Sequence, residues 1–260
     1  MRPTRFSKLG GRFTLITVER NQMMQLSEFK DLIANMPVSY QAVTSKKETW
    51  RSHIQEDNEA GKALRSIFEN SDDVTVTLSR NDLRNLASKA NLAQFVMATI
   101  IWGYPSSMRG NHVAKLTKNT KNFETLTRLL STARNQPVTD WCAHYKAVEE
   151  IAGIGLSTYT KFLNFLSVKV HGNSALILDD RIIRVASQRV FNELEPIHHL
   201  SSNNAERSYP EYLSCIDNLA KKLAVSTEKI EFFLFEFGLN LKPLPTQQIA
   251  PVGAPQAALP

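Results

Sequence analysis

Apolar residues recur at intervals of three and four along most of this chain, and the clearest run lies between residues 137 and 191. Val138, Trp141, Tyr145, Val148 and Ile151 fall on one face of a helix predicted over 137–150. Leu156, Tyr159, Leu163, Leu166 and Val170 repeat the spacing, so a second helix starts almost where the first stops. Between them stands Ile151-Ala152-Gly153-Ile154-Gly155-Leu156-Ser157. Its two glycines permit positive φ and close packing, so the turn can be very tight. A polar loop, Val170 to Ser174, then leads into the apolar run Ala175 to Leu178, which delivers Asp179 and Asp180 to the start of a third helix.

The same periodicity predicts helices over 22–36, 45–70, 111–118, 121–134, 205–223 and 226–238, the last capped by Ser226 or Thr227. Phe13 to Val18 and Asp72 to Leu78 read as short extended pieces. Ser79 caps a helix over 80–89, with Asp82 in capping-box spacing. Leu92 to Trp102 is apolar almost all round, as a central buried helix should be. Nearly everything periodic is helical. The expected fold is mostly α, with a basic N-terminal segment over 1–20 and a two-lobed body over 21–240. The 241–260 tail, with prolines at 243, 245, 251, 255 and 260, is expected to be disordered.

A chain of 260 residues with 42% hydrophobic content can pack one large domain or two lobes. No apolar run approaches the ~18–20 residues of a membrane span, and Met1 to Arg5 lacks the apolar core of a secretory signal. The expectation is a soluble, cytoplasmic protein. Cys142 and Cys215 are the only cysteines, too few for a disulfide framework or a four-cysteine cluster. His198 and His199 point apart on a helix and lack a third ligand at suitable spacing, so no metal site is assigned.

The net charge of +6 suits an anionic partner, and its distribution is more informative. Arg2, Arg5, Lys8 and Arg12 occupy the first 18 residues without an acid. Between 105 and 135, Arg109, Lys115, Lys118, Lys121, Arg128 and Arg134 face only Glu124. Such a stretch is either a solvated surface or a phosphate-binding one, with Lys115, Lys118 and Lys121 as a candidate DNA face. The hairpin favours the second reading. Gly153, Ile154, Gly155 and Ser157 sit where free amides and the helix dipole can hold a phosphate, although the two glycines alone also suit an ordinary helix end. The loop from Trp102 to His112 combines aromatics, a cation and polar side chains. Trp102, Tyr104, Arg109, Asn111 and His112 are therefore candidates for a pocket that stacks and reads an extruded base, a surface loop being the plain alternative.

Gly153-Ile154-Gly155-Leu156-Ser157, followed by Leu178-Asp179-x-x-Ile182-x-Arg184-Val185, resembles the helix-hairpin-helix DNA glycosylase superfamily. Lys161-Phe162-Leu163-x-Phe165-Leu166 and Leu176-Ile177-x-Asp179-x-Arg181-Ile182 are similar to its bacterial 8-oxoguanine-glycosylase-like branch. The match covers about residues 145–190. It implies a two-lobed helical fold whose cleft holds the hairpin and Asp179, a monomer acting on double-stranded DNA, and removal of a damaged or modified base.

Breaking an N-glycosidic bond builds positive charge on the sugar, which a carboxylate stabilises while orienting water. By resemblance Asp179 occupies the catalytic position. Asp180 is the alternative, because the 22 residues from Ser157 to Asp179 make a long gap. Bifunctional members carry a lysine where this chain has Ser157, which implies hydrolysis without strand cleavage. Lys161, one turn on, reads as surface charge or a phosphate contact, or alternatively as a displaced amine nucleophile. No cofactor is implied beyond a monovalent cation at the hairpin carbonyls. The substrate stays open between 8-oxoguanine and a hypermodified phage base such as glucosylated hydroxymethylcytosine, hence between repair and phage defence. A glycosylase-fold module that binds DNA without turnover is the remaining alternative.

Overall fold

The computed structural model describes residues 23–55, 57–69, 74–108 and 111–242. The Phe13–Val18 piece, Asp72, Asp73, Arg109 and the prolines of the tail lie outside the described residues. The chain is mostly helical. Its centre is α5 (Ala93–Gly103), whose Phe95, Val96, Met97, Ala98, Ile100 and Ile101 are fully buried. Around it pack α3 (Glu59–Glu69), α4 (Arg80–Ala87), α9 (Leu156–Phe165) and a two-stranded antiparallel sheet, β1 (Ala42–Lys46) with β2 (Thr75–Ser79), in register Ala42 to Ser79. The capping box forms: the Asp82 amide donates to Ser79 Oγ at 3.2 Å and the Ser79 amide to Asp82 Oδ2 at 2.8 Å.

The ends of the described chain close on each other. The Met24 amide donates to Val190 O at 2.8 Å and the Glu193 carboxylate accepts from Leu26 N at 3.0 Å. Helix α1 (Lys30–Ala34) packs on α12 (Thr227–Phe237), which leans on α11 (Tyr209–Leu223). Among the described residues no helix is long and apolar enough to cross a membrane.

Several expected helices are shorter than their periodicity. Over 45–70 the chain begins as β1, passes a 3-10 turn at Lys47–Trp50 and α2 (Arg51–Ile54), and only then forms α3. Ser45 is drawn away from any helix because its hydroxyl donates to Pro105 O at 2.6 Å and accepts from Trp50 Nε1 at 2.9 Å. The 22–36 segment is a 3-10 turn, Leu26–Phe29, followed by α1. Helix α8 (Trp141–Glu149) starts at Asp140, whose Oδ1 accepts from Ala143 N at 2.9 Å, rather than at Pro137. Val138 belongs to a bridge instead, donating to Lys169 O and accepting from His171 N. Helix α9 stops before Val170, which enters a tight hairpin of β3 (Lys169–Val170) and β4 (Asn173–Ser174). His171 and Gly172, at φ 48° and 83°, supply the left-handed pair that a two-residue hairpin turn requires.

Candidate active site

The segment before Asp179, residues 175–178, is buried and belongs to no helix or sheet, so its backbone groups need other partners. Tyr209 Oη donates to Leu176 O at 2.7 Å and accepts from Leu176 N at 3.2 Å, and Tyr212 Oη donates to Ile177 O at 3.0 Å. Thr160 Oγ1 accepts from Leu178 N at 3.1 Å, and Asn164 Nδ2 donates to Ala175 O at 3.0 Å. Burial pushes both tyrosines above their ordinary range, which keeps them as donors. This scaffold ends at α10 (Asp180–Ser187). Asp179 is its N-cap, half-buried, with Oδ1 accepting from Ile182 N at 3.1 Å. Oδ2 has no hydrogen-bond partner among the described residues. Asp180 is exposed and pairs with Arg184 at 3.0 Å on the outer face of the helix.

Asp179 lines a cavity of about 260 Å³ shared with Lys161, Trp102, Gln41, Arg80 and Glu231. Lys161 is only 7% exposed, which corrects its reading as surface charge. The reason is Gly103: a Cβ there would lie 3.2 Å from Lys161 Cδ, so the missing side chain opens the channel the lysine occupies. Nζ donates to Ser157 Oγ at 2.8 Å and Ser157 O at 3.1 Å, and lies 5.5 Å from the centre of the Tyr104 ring. All these partners are neutral, and among the described residues no carboxylate pairs with it. Lysine is seldom buried without a charged partner, which sets this one apart.

Arg80 and Glu231, which line the same cavity, form a buried charge pair. Arg80 donates to Glu231 at 3.0 and 3.3 Å and through Nε to Gln41 Oε1 at 2.7 Å. Arg80 and Glu231 are 1% and 0% exposed. Burial pushes the Glu231 carboxyl above its ordinary range; Arg80 opposes this and the negative charge of Asp179 adds to it. Phe235 forms another wall, with the Arg181 guanidinium 4.7 Å from its ring centre.

The hairpin stands on the other side of Lys161. Gly153 has φ 99°, and a Cβ there would meet His112 O at 2.4 Å, so backbone packs on backbone at the start of α6 (His112–Thr117). Gly155 caps α9, and a Cβ there would meet nothing within 4 Å. It borders an open pocket of about 480 Å³ with Ser157, Thr158, Tyr104, Met108 and His112. Tyr104 Oη is 2.7 Å from Thr158 Oγ1, so Tyr104, Lys161 and Ser157 form the partition between pocket and cavity.

The sequence candidates thus fall into two groups. Asp179, Lys161 and Trp102 line the cavity, while Gly153, Gly155, Ser157, Tyr104 and His112 line the hairpin pocket, with Ile154 buried beneath the turn. Asn111, exposed with φ 57°, caps α6 and lines neither. Arg109 lies outside the described residues. Lys115 on α6, Lys118 at its C-cap and Lys121 at the start of α7 (Thr120–Asn135) are exposed. His198 and His199 separate, one bonding Phe191 O and the other Glu211. Sequence reasoning missed Gln41, Arg80 and Glu231. Glu231 carried a signal, as a carboxylate set between Ile230 and Phe232-Phe233 on an apolar helix. Arg80 read as an ordinary first-turn residue, and Gln41 carried no signal.

These elements amount to a cavity walled in part by Trp102 and Phe235, with a carboxylate at one side and the start of α9 nearby. The family described as "Putative 8-oxoguanine DNA glycosylase OGG-like protein" matches residues 36–235, a span that runs from before Gln41 to Phe235. No curated protein and no solved structure matches the chain. With well over half of its residues inside that match, the chain belongs to the 8-oxoguanine DNA glycosylase OGG-like family.

Proposed function

We propose that the protein binds double-stranded DNA, turns one nucleotide out into the cavity beside Asp179, and hydrolyses its N-glycosidic bond. The observation that carries this reading is the Asp179 carboxylate: Oδ1 is fixed by Ile182 N while Oδ2 is unengaged at a cavity wall. The phosphates flanking the extruded nucleotide lie against the α9 amides at Gly155, with Lys115, Lys118 and Lys121 along the adjoining backbone. As the base departs, positive charge on the sugar faces Asp179. Water adds to the anomeric carbon, Asp179 takes its proton, and the base leaves with the bonding electron pair. The hairpin carbonyls are also the proposed place for a monovalent cation. Ile151 O and Gly155 O each accept one amide, leaving a lone pair apiece, and a cation there would reinforce the hold on phosphate.

Ser157 in place of an amine favours simple hydrolysis to an abasic site. A second reading is favoured by the burial of Lys161 in the same cavity: its amine attacks the sugar and strand cleavage follows. Borohydride treatment during turnover separates the two, because only an amine nucleophile gives a trapped protein–DNA adduct, lost in Lys161→Met.

The substrate is 8-oxoguanine, or a hypermodified phage base such as glucosylated hydroxymethylcytosine. The first would make the protein a repair enzyme and the second an antiviral one. Incubating the protein with 8-oxoguanine duplex and with glucosylated phage DNA, and following free base by mass spectrometry, tests the proposal. Release from one DNA names the class. Salt-sensitive binding to both without release would instead make the protein a binding module.

A further inference from the structure

We infer that Gln41 reads the extruded base, donating from its amide nitrogen to a carbonyl oxygen on the base edge. This rests on the glycosylase reading above. Gln41 is held at four points. Its backbone N donates to Val38 O at 3.2 Å, its O accepts from Arg80 N at 3.0 Å and from Trp102 Nε1 at 3.4 Å, and Oε1 accepts from Arg80 Nε at 2.7 Å. A guanidinium has donors and no acceptor, so the carbonyl end of the amide must face Arg80. That fixes which way the amide lies. Arg80 cannot drift, because Glu231 grips it at two points and it packs 5.5 and 5.4 Å from the Trp102 and Phe232 ring centres.

What remains is a pair of N–H donors on Nε2 with no partner among the described residues, on a half-buried side chain that lines the cavity. Glutamine can grip adenine through its oxygen and nitrogen together. Here the oxygen is turned to Arg80 Nε, so the end of the amide left for a base is the Nε2 donor end. An exocyclic amine turned to that wall would put donor against donor, whereas a carbonyl oxygen completes the pair. The ligand class is therefore a carbonyl-edged base. Oxidised guanine offers O6 or O8 and modified cytosine offers O2. The buried ion pair serves to hold this amide in one orientation before the base arrives.

Gln41→Glu keeps an acceptor for Arg80 Nε and replaces the donors by an oxygen, and Gln41→Met removes both. With the full chain, single-turnover release of 8-oxoguanine from a duplex, and of the glucosylated base from phage DNA, is compared with binding to a duplex holding a tetrahydrofuran abasic analogue. Release from whichever DNA is the substrate should fall by on the order of 100-fold or more in both variants, with abasic-site binding retained because no base is there to be read. Either variant releasing base at the wild-type rate overturns the inference and leaves the glycosylase reading standing. Wild type releasing base from neither DNA overturns both.

Discussion

Gly153→Ala and Gly155→Ala separate what the hairpin needs to fold from what it needs to hold DNA. At Gly153 an added methyl carbon would stand 2.4 Å from the His112 carbonyl oxygen, on a residue with φ 99°. The left-handed backbone alone costs an L side chain about 1–3 kcal/mol. Because the obstructing atom is backbone, α6 must shift, and displacing packed structure costs about 1–3 kcal/mol more. The sum of about 2–6 kcal/mol, at about 2–4 °C per kcal/mol for a domain of this size, lowers Tm by roughly 4–24 °C. At Gly155 the methyl meets nothing within 4 Å and φ is −106°. Stability there is unchanged or rises by up to about 1 kcal/mol. On the proposed reading a phosphate approaches the α9 amides at this position, so the methyl should lower duplex affinity about 10-fold or more and make the salt dependence shallower by about one ion. Thermal melting and salt-titrated DNA binding on both variants test this. A Gly153→Ala protein that melts with wild type, or a Gly155→Ala protein that binds DNA normally, refutes the reasoning.

Arg80→Met leaves Glu231 buried without its cation, which should cost about 3–5 kcal/mol. Adding Glu231→Gln should recover a large part of it, as melting curves of the single and double variants will show. The pH dependence has a readable component at His144, whose ring lies 2.6 Å from Tyr159 Oη and is pushed by burial below its ordinary value of 6.5. The unfolded chain therefore binds this proton more readily than the folded one. Its contribution to stability is fully present above pH 6.5 and is lost as pH falls through the folded value. Denaturant titrations against pH should show that acid-side slope reduced in His144→Gln, and an unaltered slope would be inconsistent with it.

Features fixed by neighbours in sequence were readable, and those fixed by distant partners were not. The α4 capping box depends only on Ser79 and Asp82, and the apolar run of α5 announces burial by itself. Asp179 could be placed at a helix start because its cap is three residues long. Strand β1 escaped because its partner β2 lies some 33 residues away, as in the Thr44–Thr77 pair. The early start assigned to α8 failed for the same reason: Val138 is periodic with the helix, but its backbone belongs to Lys169 and His171. Lys161 sits on a helix with local neighbours, yet its burial is decided by the absence of a side chain at Gly103. The Arg80–Glu231 pair spans 151 residues, and only its glutamate left a trace in the pattern.

The most direct test of the account is base release by Asp179→Asn and Asp180→Asn beside wild type, under single-turnover conditions on whichever DNA the wild type cleaves. Asparagine caps a helix about as well as aspartate, so α10 survives in both. Asp180 is exposed and paired only to Arg184, so its change moves stability by less than about 1 kcal/mol. The account predicts that Asp179→Asn loses about 100-fold or more of the release rate while still binding DNA, and that Asp180→Asn releases base as wild type does. Normal release by Asp179→Asn, or loss confined to Asp180→Asn, would contradict it.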